Sequence, residues 1–250
     1  MRRHTKKTSY LPLHFISMMN HELYESYRSR ETKFPTKLMK NQSELNCKMR
    51  VILIDWIIEV SHTVFDLTDD ERLAVLFQTV MILDKYTEKA YIRRSDYQLV
   101  GAICMRIAFK YECGLLLTIN RVIHLTCRHK DDRKLILDKE MSILEELDYS
   151  ISFINSYMLL ITLFECDESD SVVRVAALKL LERLLVKHHM AVYNPSIVAC
   201  SVLLMINIHY NKEQWSTKLR KMTKYKLKRL EKCKDMIQGL VDLKQIMKIN

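Results

Sequence analysis

Glycine and proline are so scarce in this chain that an all-helical fold is the natural expectation. The 250 residues include only three of each, far below average usage, which leaves few residues for the tight turns that sheets need. Hydrophobic residues make up 48% of the chain and recur almost everywhere at helical spacing. The length suits one or two domains of roughly 100 to 150 residues each.

Several helix starts are marked by capping signals. Thr68–Glu71 and Ser95–Gln98 have the capping-box pattern, and Asn194 precedes a proline at a first helical position. A break in periodicity at residues 148–152, before Asn155 can start another helix, separates two runs of about five helices. We predict helices near residues 18–28, 46–65, 69–87, 96–111, 118–125, 131–148, 155–165, 170–188, 195–210, 215–222 and 225–236.

Cysteine usage and hydropathy indicate an intracellular protein. The seven cysteines are spread singly, without a C-x-x-C pair or a disulfide-framework spacing. No stretch approaches the roughly 18 uninterrupted apolar residues of a membrane helix, and the first residues lack the apolar core of a secretory signal. We therefore expect a soluble chain that neither enters a membrane nor is exported.

The net charge of +10 at pH 7 favours acidic partners, namely nucleic acid, a phosphoprotein or an acidic protein surface. Much of this excess lies in residues 211–229, which contain eight Lys or Arg and one Glu. A solvated helix face is the simpler interpretation of such a run, and phosphate docking is the alternative.

Motifs for catalysis are missing from the sequence. It has no phosphate-binding glycine loop, nucleophile elbow or H-E-x-x-H pair. His124, Cys127 and His129 come nearest to a metal-binding set, but no second ligand pair at zinc spacing accompanies them. We therefore expect no metal, no cofactor and no catalysis by this chain alone.

The segment MRVILIDWIIEV, residues 49–60, is apolar on two opposite sides when read as a helix. One stripe consists of Met49, Ile52, Leu53 and Trp56, and the other of Val51, Ile54 and Ile58. One stripe can face a core, so the other needs a separate explanation. A helix that is apolar all round is most often buried, whereas an exposed apolar stripe marks a binding site.

A glycine inside an apolar helix points to close packing. Gly101 lies within the segment of residues 97–112, where glycine costs about 1 kcal/mol relative to alanine. Together with Ala102 it gives a smooth surface on which another helix can pack. We expect this helix to be the hub of the first domain, with Lys110 at the end where it leaves the core.

Four successive segments resemble the helices of a cyclin box in order and approximate spacing: MRVILIDWIIEV, LDKY, YQLVGAICMRIAFKYE and KEMSILEELDYSI. The resemblance is to A- and B-type mitotic cyclins, and it continues through NPSIVACSVLLM and a Trp followed by Y-x-L-x-x-L-x-x-C. It implies an N-terminal tail and short helix at 1–45, a five-helix cyclin box at 46–149, and a second such domain at 150–250. The short leading segment would fit a viral cyclin or one from a compact genome.

The resemblance also implies roles for individual residues. Arg50 and Asp84 match a pair that forms an internal salt bridge, as a buried arginine would require, and Leu99 matches a core leucine. Lys110 and Glu140 match the pair that binds the activating helix region of a cyclin-dependent kinase, offering opposite charges to its backbone groups. A surface ion pair without function is the alternative for those two residues.

In the cyclins that this chain resembles, an apolar stripe of the first box helix is an exposed groove for Arg-x-Leu peptides of substrates and inhibitors. The matching residues are Met49, Ile52, Leu53 and Trp56 in the groove, Arg94 and Gln98 on its polar flank, and Glu59 as the acid that meets the basic residue of the peptide.

These matches imply a non-catalytic subunit that binds and activates a cyclin-dependent Ser/Thr kinase in the nucleus, the cytoplasm or both. It would act by population shift, holding the mobile helix of the kinase in the competent position, with no direct nucleic-acid contact.

The alternative is a nucleic-acid-associated factor of the same fold, like general transcription factor IIB, with the positive charge as its footprint. Such a factor has no need of the groove residues. The fullness of the match at 49–60 also disfavours a transcriptional cyclin.

Overall fold

The described part of the chain is helical throughout and contains no strand, in agreement with the prediction. This computed structural model describes residues 13–31, 39–63, 67–115, 117–127, 132–243 and 246, with side chains from residue 21 onward. The α-helices are α1 (Leu13–Arg30), α2 (Cys47–Thr63), α3 (Asp69–Lys89), α4 (Tyr97–Cys113), α5 (Ile119–Leu125), α6 (Arg133–Glu146), α7 (Ser156–Asp167), α8 (Ser171–Leu185), α9 (Pro195–His209), α10 (Thr217–Thr223) and α11 (Leu227–Leu240). Within these residues, no helix is both long and apolar enough to cross a membrane.

Helix α4 is the hub of the first half. It contacts α2, α3, α5 and α6, and its residues are buried almost without interruption from Leu99 to Phe109. Gly101 permits the closest of these approaches, because a Cβ atom at this position would lie 3.0 Å from Cδ1 of Leu53 on α2. The smooth surface expected at Gly101 is therefore occupied by the side chain of Leu53.

Helix α9 has the corresponding role in the second half. It is buried along its first 13 residues, from Pro195 to Asn207, and it contacts α7, α8 and α11. The two halves thus repeat one architecture, in which a buried hub helix packs against several neighbouring helices. Helix α1 packs on this second half, where it contacts α7 and α10 and where Tyr24 lies against Cys200 in the core.

One of the three predicted helix-start signals operates fully as expected, and a second does so in part, since Asn194 is the N-cap of α9 but makes no side-chain capping bond. Thr68 and Glu71 form a reciprocal capping box at the start of α3, and Asn194 precedes Pro195 at the start of α9. The predicted box at Ser95–Gln98 is wrong, since a 3₁₀ turn precedes α4 and the cap residue, Asp96, makes no side-chain capping bond. The 3₁₀ turn is held from outside, because the Arg94 N–H donates to Glu44 Oε2 at 3.0 Å.

The junction between the two halves lies where the periodicity breaks. Helix α6 ends at Glu146, and the next residues include Asp148 and Tyr149, with positive φ values of 51° and 55°. Asn155 then caps α7 by accepting the Met158 N–H at 3.0 Å. The chain thereby passes from the first group of helices, which ends with α6, to the second, which begins with α7.

Candidate functional site

Helix α2 packs on two separate apolar clusters, which explains why it is apolar on more than one side. Leu53, Ile57 and Val60 are buried in the main core that α3 and α4 share. Ile54 is buried in a separate cluster with Val80 and Val186, against which Val51 and Ile58 also pack. The stripe that contains Ile54 therefore faces the second half of the molecule.

The remaining face of α2 borders an open groove of about 330 Å³. Its lining consists of Leu45, Met49, Ile52, Leu53, Trp56, Arg94, Tyr97 and Gln98. Six of the seven predicted docking residues are thus brought together in one groove. Ile52 is 69% exposed, while Met49 and Trp56 are half-buried, so water reaches much of this apolar surface.

Leu53 departs from the expectation of a wholly exposed stripe. It is only 5% exposed and belongs to the main core, because the absent side chain of Gly101 leaves room for it against α4. Leu53 therefore forms the floor of the groove and also a structural contact between α2 and α4.

Glu59 is exposed three residues beyond Trp56, but it does not line the groove. It borders a neighbouring cleft between α2 and α8, whose lining also includes Asp55 and His62. Glu59 thus lies on the ridge of α2 that separates the groove from this cleft.

At the opposite end of the groove, Glu44 supports the turn that carries Arg94. Its carboxylate accepts a hydrogen bond from the Tyr91 hydroxyl and another from the Arg94 N–H. Both bonds lower the pKa of Glu44, and the bond from Tyr91 has the larger effect. Sequence reasoning missed Glu44, because no local pattern links residue 44 to residues 91 and 94.

Arg50 and Asp84 form a buried, bidentate ion pair between α2 and α3. Nε and a terminal nitrogen of Arg50 each donate to a different Asp84 oxygen at 2.7 Å. Burial acts to lower the pKa of Arg50, but the Asp84 carboxylate outweighs it and the pKa is raised. Arg50 also donates to the Leu185 carbonyl at 3.1 Å, so the pair also holds α8 of the second half.

The predicted kinase-binding pair is part of a three-residue cluster. Arg106 Nε donates to Glu140 Oε2 at 2.9 Å, and Lys110 Nζ donates to Glu140 Oε1. The Glu140 side chain is 7% exposed and that of Lys110 is 42% exposed. The Glu140 carboxylate is therefore buried and engaged by both cations, and Lys110 is the more accessible member of the pair. Kinase binding by these two residues stays a prediction.

Arg106 was not predicted, although its place in the sequence carried a signal. It is an arginine inside an apolar helix, one helical turn before Lys110, and it is 5% exposed. A buried arginine needs an acid, and α6 supplies one. Leu137 and Met141, on the same helix as Glu140, are 47% and 49% exposed, so an apolar surface flanks the cluster.

The basic segment at 211–229 contains several paired lysines. Lys212 pairs with Asp170 at 2.8 Å, Lys224 pairs with Glu25 at 2.7 Å, and Lys218 pairs with Glu168. These pairs favour the simpler interpretation of the segment, a charged surface compensated by neighbouring acids.

The weak metal-site candidate gains no support. His124 and Cys127 are exposed, and His129 lies outside the described residues. In the part of the chain that the structure describes, no three His, Cys, Asp or Glu side chains are placed to hold a metal ion.

Comparison with known proteins gives two adjoining family matches. The chain matches the model of the cyclin N-terminal domain over residues 22–152 and that of the cyclin C-terminal domain over residues 149–248. Cyclin-B2-1 of Oryza sativa subsp. japonica is 31% identical over 219 residues, covering 86% of this chain and 51% of that protein. G2/mitotic-specific cyclin-2 of Medicago sativa is 33% identical over 186 residues, covering 72% and 55%. The chain spans about half the length of these curated relatives.

Solved structures share the fold at lower sequence identity. A viral cyclin from herpesvirus saimiri superposes with a TM-score of 0.72 at 21% identity, covering 89% of this chain and 98% of that chain. A chain of the yeast RNA polymerase II CTD kinase complex CTDK-1 superposes with a TM-score of 0.63 at 12% identity, covering 89% and 71%. With two five-helix halves in this arrangement, and with both family models matched in order, the chain belongs to the cyclin family.

Proposed function

We propose that this cyclin binds and activates a cyclin-dependent Ser/Thr kinase and recruits Arg-x-Leu substrates to it during cell division. Family membership and the mitotic relatives support the kinase partnership. The observation that carries the recruitment role is the open apolar groove between α2 and α4.

The kinase-binding edge consists of Lys110, the buried carboxylate behind it and the exposed side chains of Leu137 and Met141. Glu140 fixes the position of the Lys110 ammonium, which keeps donors for backbone carbonyls of the kinase's mobile helix. Leu137 and Met141 supply apolar area beside it. Tighter binding to the active arrangement of that helix shifts the kinase toward it, while the phosphoryl-transfer chemistry stays with the kinase.

The groove suits a short extended peptide with one apolar anchor. Met49, Trp56 and the floor residue Leu53 offer a concave apolar surface for the leucine of the motif. Glu59, exposed at the end of α2, is available to the arginine. Charged partners at the rim of an interface contribute mainly specificity and association rate.

The alternative role in nucleic-acid binding has weaker support. Lysines 212, 218 and 224 of the basic segment are paired with acids on the protein itself, which compensates part of the charge that phosphate docking would use. Duplex DNA binding that weakens steeply with salt would favour this alternative.

A kinase assay tests the activation role. The purified chain is added to a mitotic cyclin-dependent kinase, and phosphate transfer is measured to a peptide without an Arg-x-Leu motif. We expect strong activation by the parent chain and a loss of about tenfold or more with Lys110→Glu, because charge reversal at a central contact both removes an attraction and adds a repulsion.

Lys228→Glu serves as the matched control, since Lys228 is exposed on α11 in the second half. Circular dichroism establishes that both variants are folded. Undiminished activation by Lys110→Glu would reject the proposed edge, and a parent chain that activates no cyclin-dependent kinase would reject the function.

A further inference from the structure

A single acid serves two cations at the kinase-binding edge. Arg106 and Lys110 lie one helical turn apart on the same face of α4, a spacing at which two like charges repel each other. Glu140 of α6 compensates this repulsion, because Oε2 accepts from Arg106 Nε at 2.9 Å and Oε1 accepts from Lys110 Nζ. Two cations thus share one carboxylate, and this cluster has an excess of positive charge.

Arg106 is also held from a second direction. One of its terminal nitrogens donates to the Leu117 carbonyl, in the connection between α4 and α5, and its side chain is only 6% exposed. Moving the Glu140 carboxylate outward would leave this buried guanidinium without its acid, which is unfavourable. Arg106 therefore keeps Glu140 in place, and Glu140 in turn holds the ammonium of Lys110, the most exposed of the three side chains.

The engaged carboxylate determines which groups the edge offers to a partner. Both oxygens of Glu140 accept hydrogen bonds from within the cluster, whereas the Lys110 ammonium has three N–H donors and gives one of them to Glu140. Without Arg106, Lys110 and Glu140 would form a neutral pair with one free acceptor oxygen. With Arg106, the edge has free donors and a positive charge, which bind anionic or carbonyl oxygens strongly.

We propose that Arg106 is a positioning residue of the kinase-binding edge, and that it makes the edge selective for an electronegative segment of the kinase. Such a segment presents backbone carbonyls or a carboxylate to Lys110, and Arg106 acts on it only through Glu140. A kinase segment with exposed cations is disfavoured, because it meets a surplus of like charge. This inference rests on the proposed kinase partnership and specifies the chemistry of its contact.

The apolar neighbours of the cluster strengthen the effect of its charge. Leu137 and Met141 are exposed on α6, before and after Glu140 in the sequence. A kinase that covers these side chains excludes water from the surroundings of Lys110, and charges interact more strongly where water is excluded. The excess charge therefore contributes to the stability of the bound complex as well as to the rate of association.

Three variants of the complete chain test the inference by surface plasmon resonance on an immobilised mitotic cyclin-dependent kinase. Arg106→Met removes the charge and keeps most of the apolar length of the side chain. Arg106→Lys keeps the charge. The double variant Arg106→Met, Glu140→Gln removes one cation together with the acid, so that Lys110 keeps an uncompensated charge. Circular dichroism establishes that each variant is folded at the temperature of the assay.

We expect Arg106→Met to raise the Kd for the kinase about fivefold, the effect of losing one partly exposed charge interaction. The Kd of this variant should also depend less on salt than that of the parent chain. Arg106→Lys and the double variant should each bind within about twofold of the parent chain, because both leave the edge with a net positive charge.

Arg72→Met is the matched control for the loss of a buried arginine. Arg72 is also buried, pairs with Glu182 of α8 at 2.7 Å, and lies on α3 outside the proposed edge. Its replacement should lower the melting temperature, because Glu182 loses its cation, but leave the Kd for the kinase unchanged.

The outcomes separate this inference from the proposed function. If Arg106→Met lowered the melting temperature but kept the parent Kd at every salt concentration, Arg106 would be purely structural and the inference wrong. A double variant that binds more weakly than Arg106→Met would mean that Glu140 itself contacts the kinase, which also contradicts the assignment. Both results leave the kinase partnership intact, whereas a parent chain that binds no cyclin-dependent kinase would overturn the proposed function and this inference together.

Discussion

At the residue scale, Arg50 links three helices, α2, α3 and α8. Its guanidinium forms two bonds to Asp84 on α3 and one to the Leu185 carbonyl at the end of α8. Asp84 is completely buried, so its charge depends on Arg50 for compensation. The residue therefore contributes both to the first half and to its attachment to the second.

Arg50→Ala should lower the free energy of unfolding by about 3 to 5 kcal/mol, because it leaves the Asp84 carboxylate buried without a cation. Urea denaturation of the chain measures this loss. Arg220→Ala is the control at an exposed site on α10, where we expect a change within about 0.5 kcal/mol. Equal stability of Arg50→Ala and the parent would mean that the pair makes no net contribution.

The single residues of the cyclin box were anticipated by the family resemblance, and physical rules only agreed with them. The pairing of Arg50 with Asp84 was implied by the family resemblance, and the rule that a buried arginine needs an acid agrees with it without identifying the partner. The same rule applied to Arg106 would have predicted a buried acid beside it, although not that the acid is Glu140. Glu44 could not be found this way, because its bonds to Tyr91 and Arg94 depend on how two distant segments meet.

At the element scale, α2 has three faces with different surroundings. One face packs on the hub helix α4, a second contacts Val186 of the other half, and a third borders the groove. Periodicity alone predicted the excess of apolar faces. It could not divide them between core and groove, because Leu53 and Ile52 are adjacent in sequence yet are 5% and 69% exposed.

Paired substitutions in α2 test this division. Leu53→Ala should cost about 2 to 5 kcal/mol, since it removes a buried side chain packed on Gly101. Ile52→Ala should change the stability by about 0.5 kcal/mol or less, yet weaken the binding of an Arg-x-Leu peptide. Thermal melts and fluorescence polarisation on the two variants provide both values. If Ile52→Ala destabilised the chain as much as Leu53→Ala, the exposed stripe would belong to the core.

At the scale of the whole molecule, the sequence predicted two runs of helices but not that α1 packs on the second run. Capping signals and periodicity are local, and they placed most helices within a few residues. The docking of α1 on the second half depends on contacts such as Arg28 with Ser196, 168 residues apart, and Glu31 with the Ser196 N–H at the start of α9. Nothing in the local pattern around residues 28–31 specifies that partner.

In the proposed function, the kinase-binding edge lies on α4 and α6 and the substrate groove lies between α2 and α4. Because we propose the two sites on different helix pairs, we expect a peptide to occupy the groove while the kinase is bound. Recruitment then raises the effective concentration of a substrate at the kinase without adding to the chemistry.

The most direct measurement is kcat/KM of the cyclin–kinase complex for two substrates that share a phosphorylation site and differ only in an Arg-x-Leu motif. We expect a higher kcat/KM for the motif-bearing substrate, arising from a lower KM, and we expect free Arg-x-Leu peptide to abolish this advantage without slowing the other substrate. Equal kcat/KM values for the two substrates in an active complex would rule out the proposed recruitment.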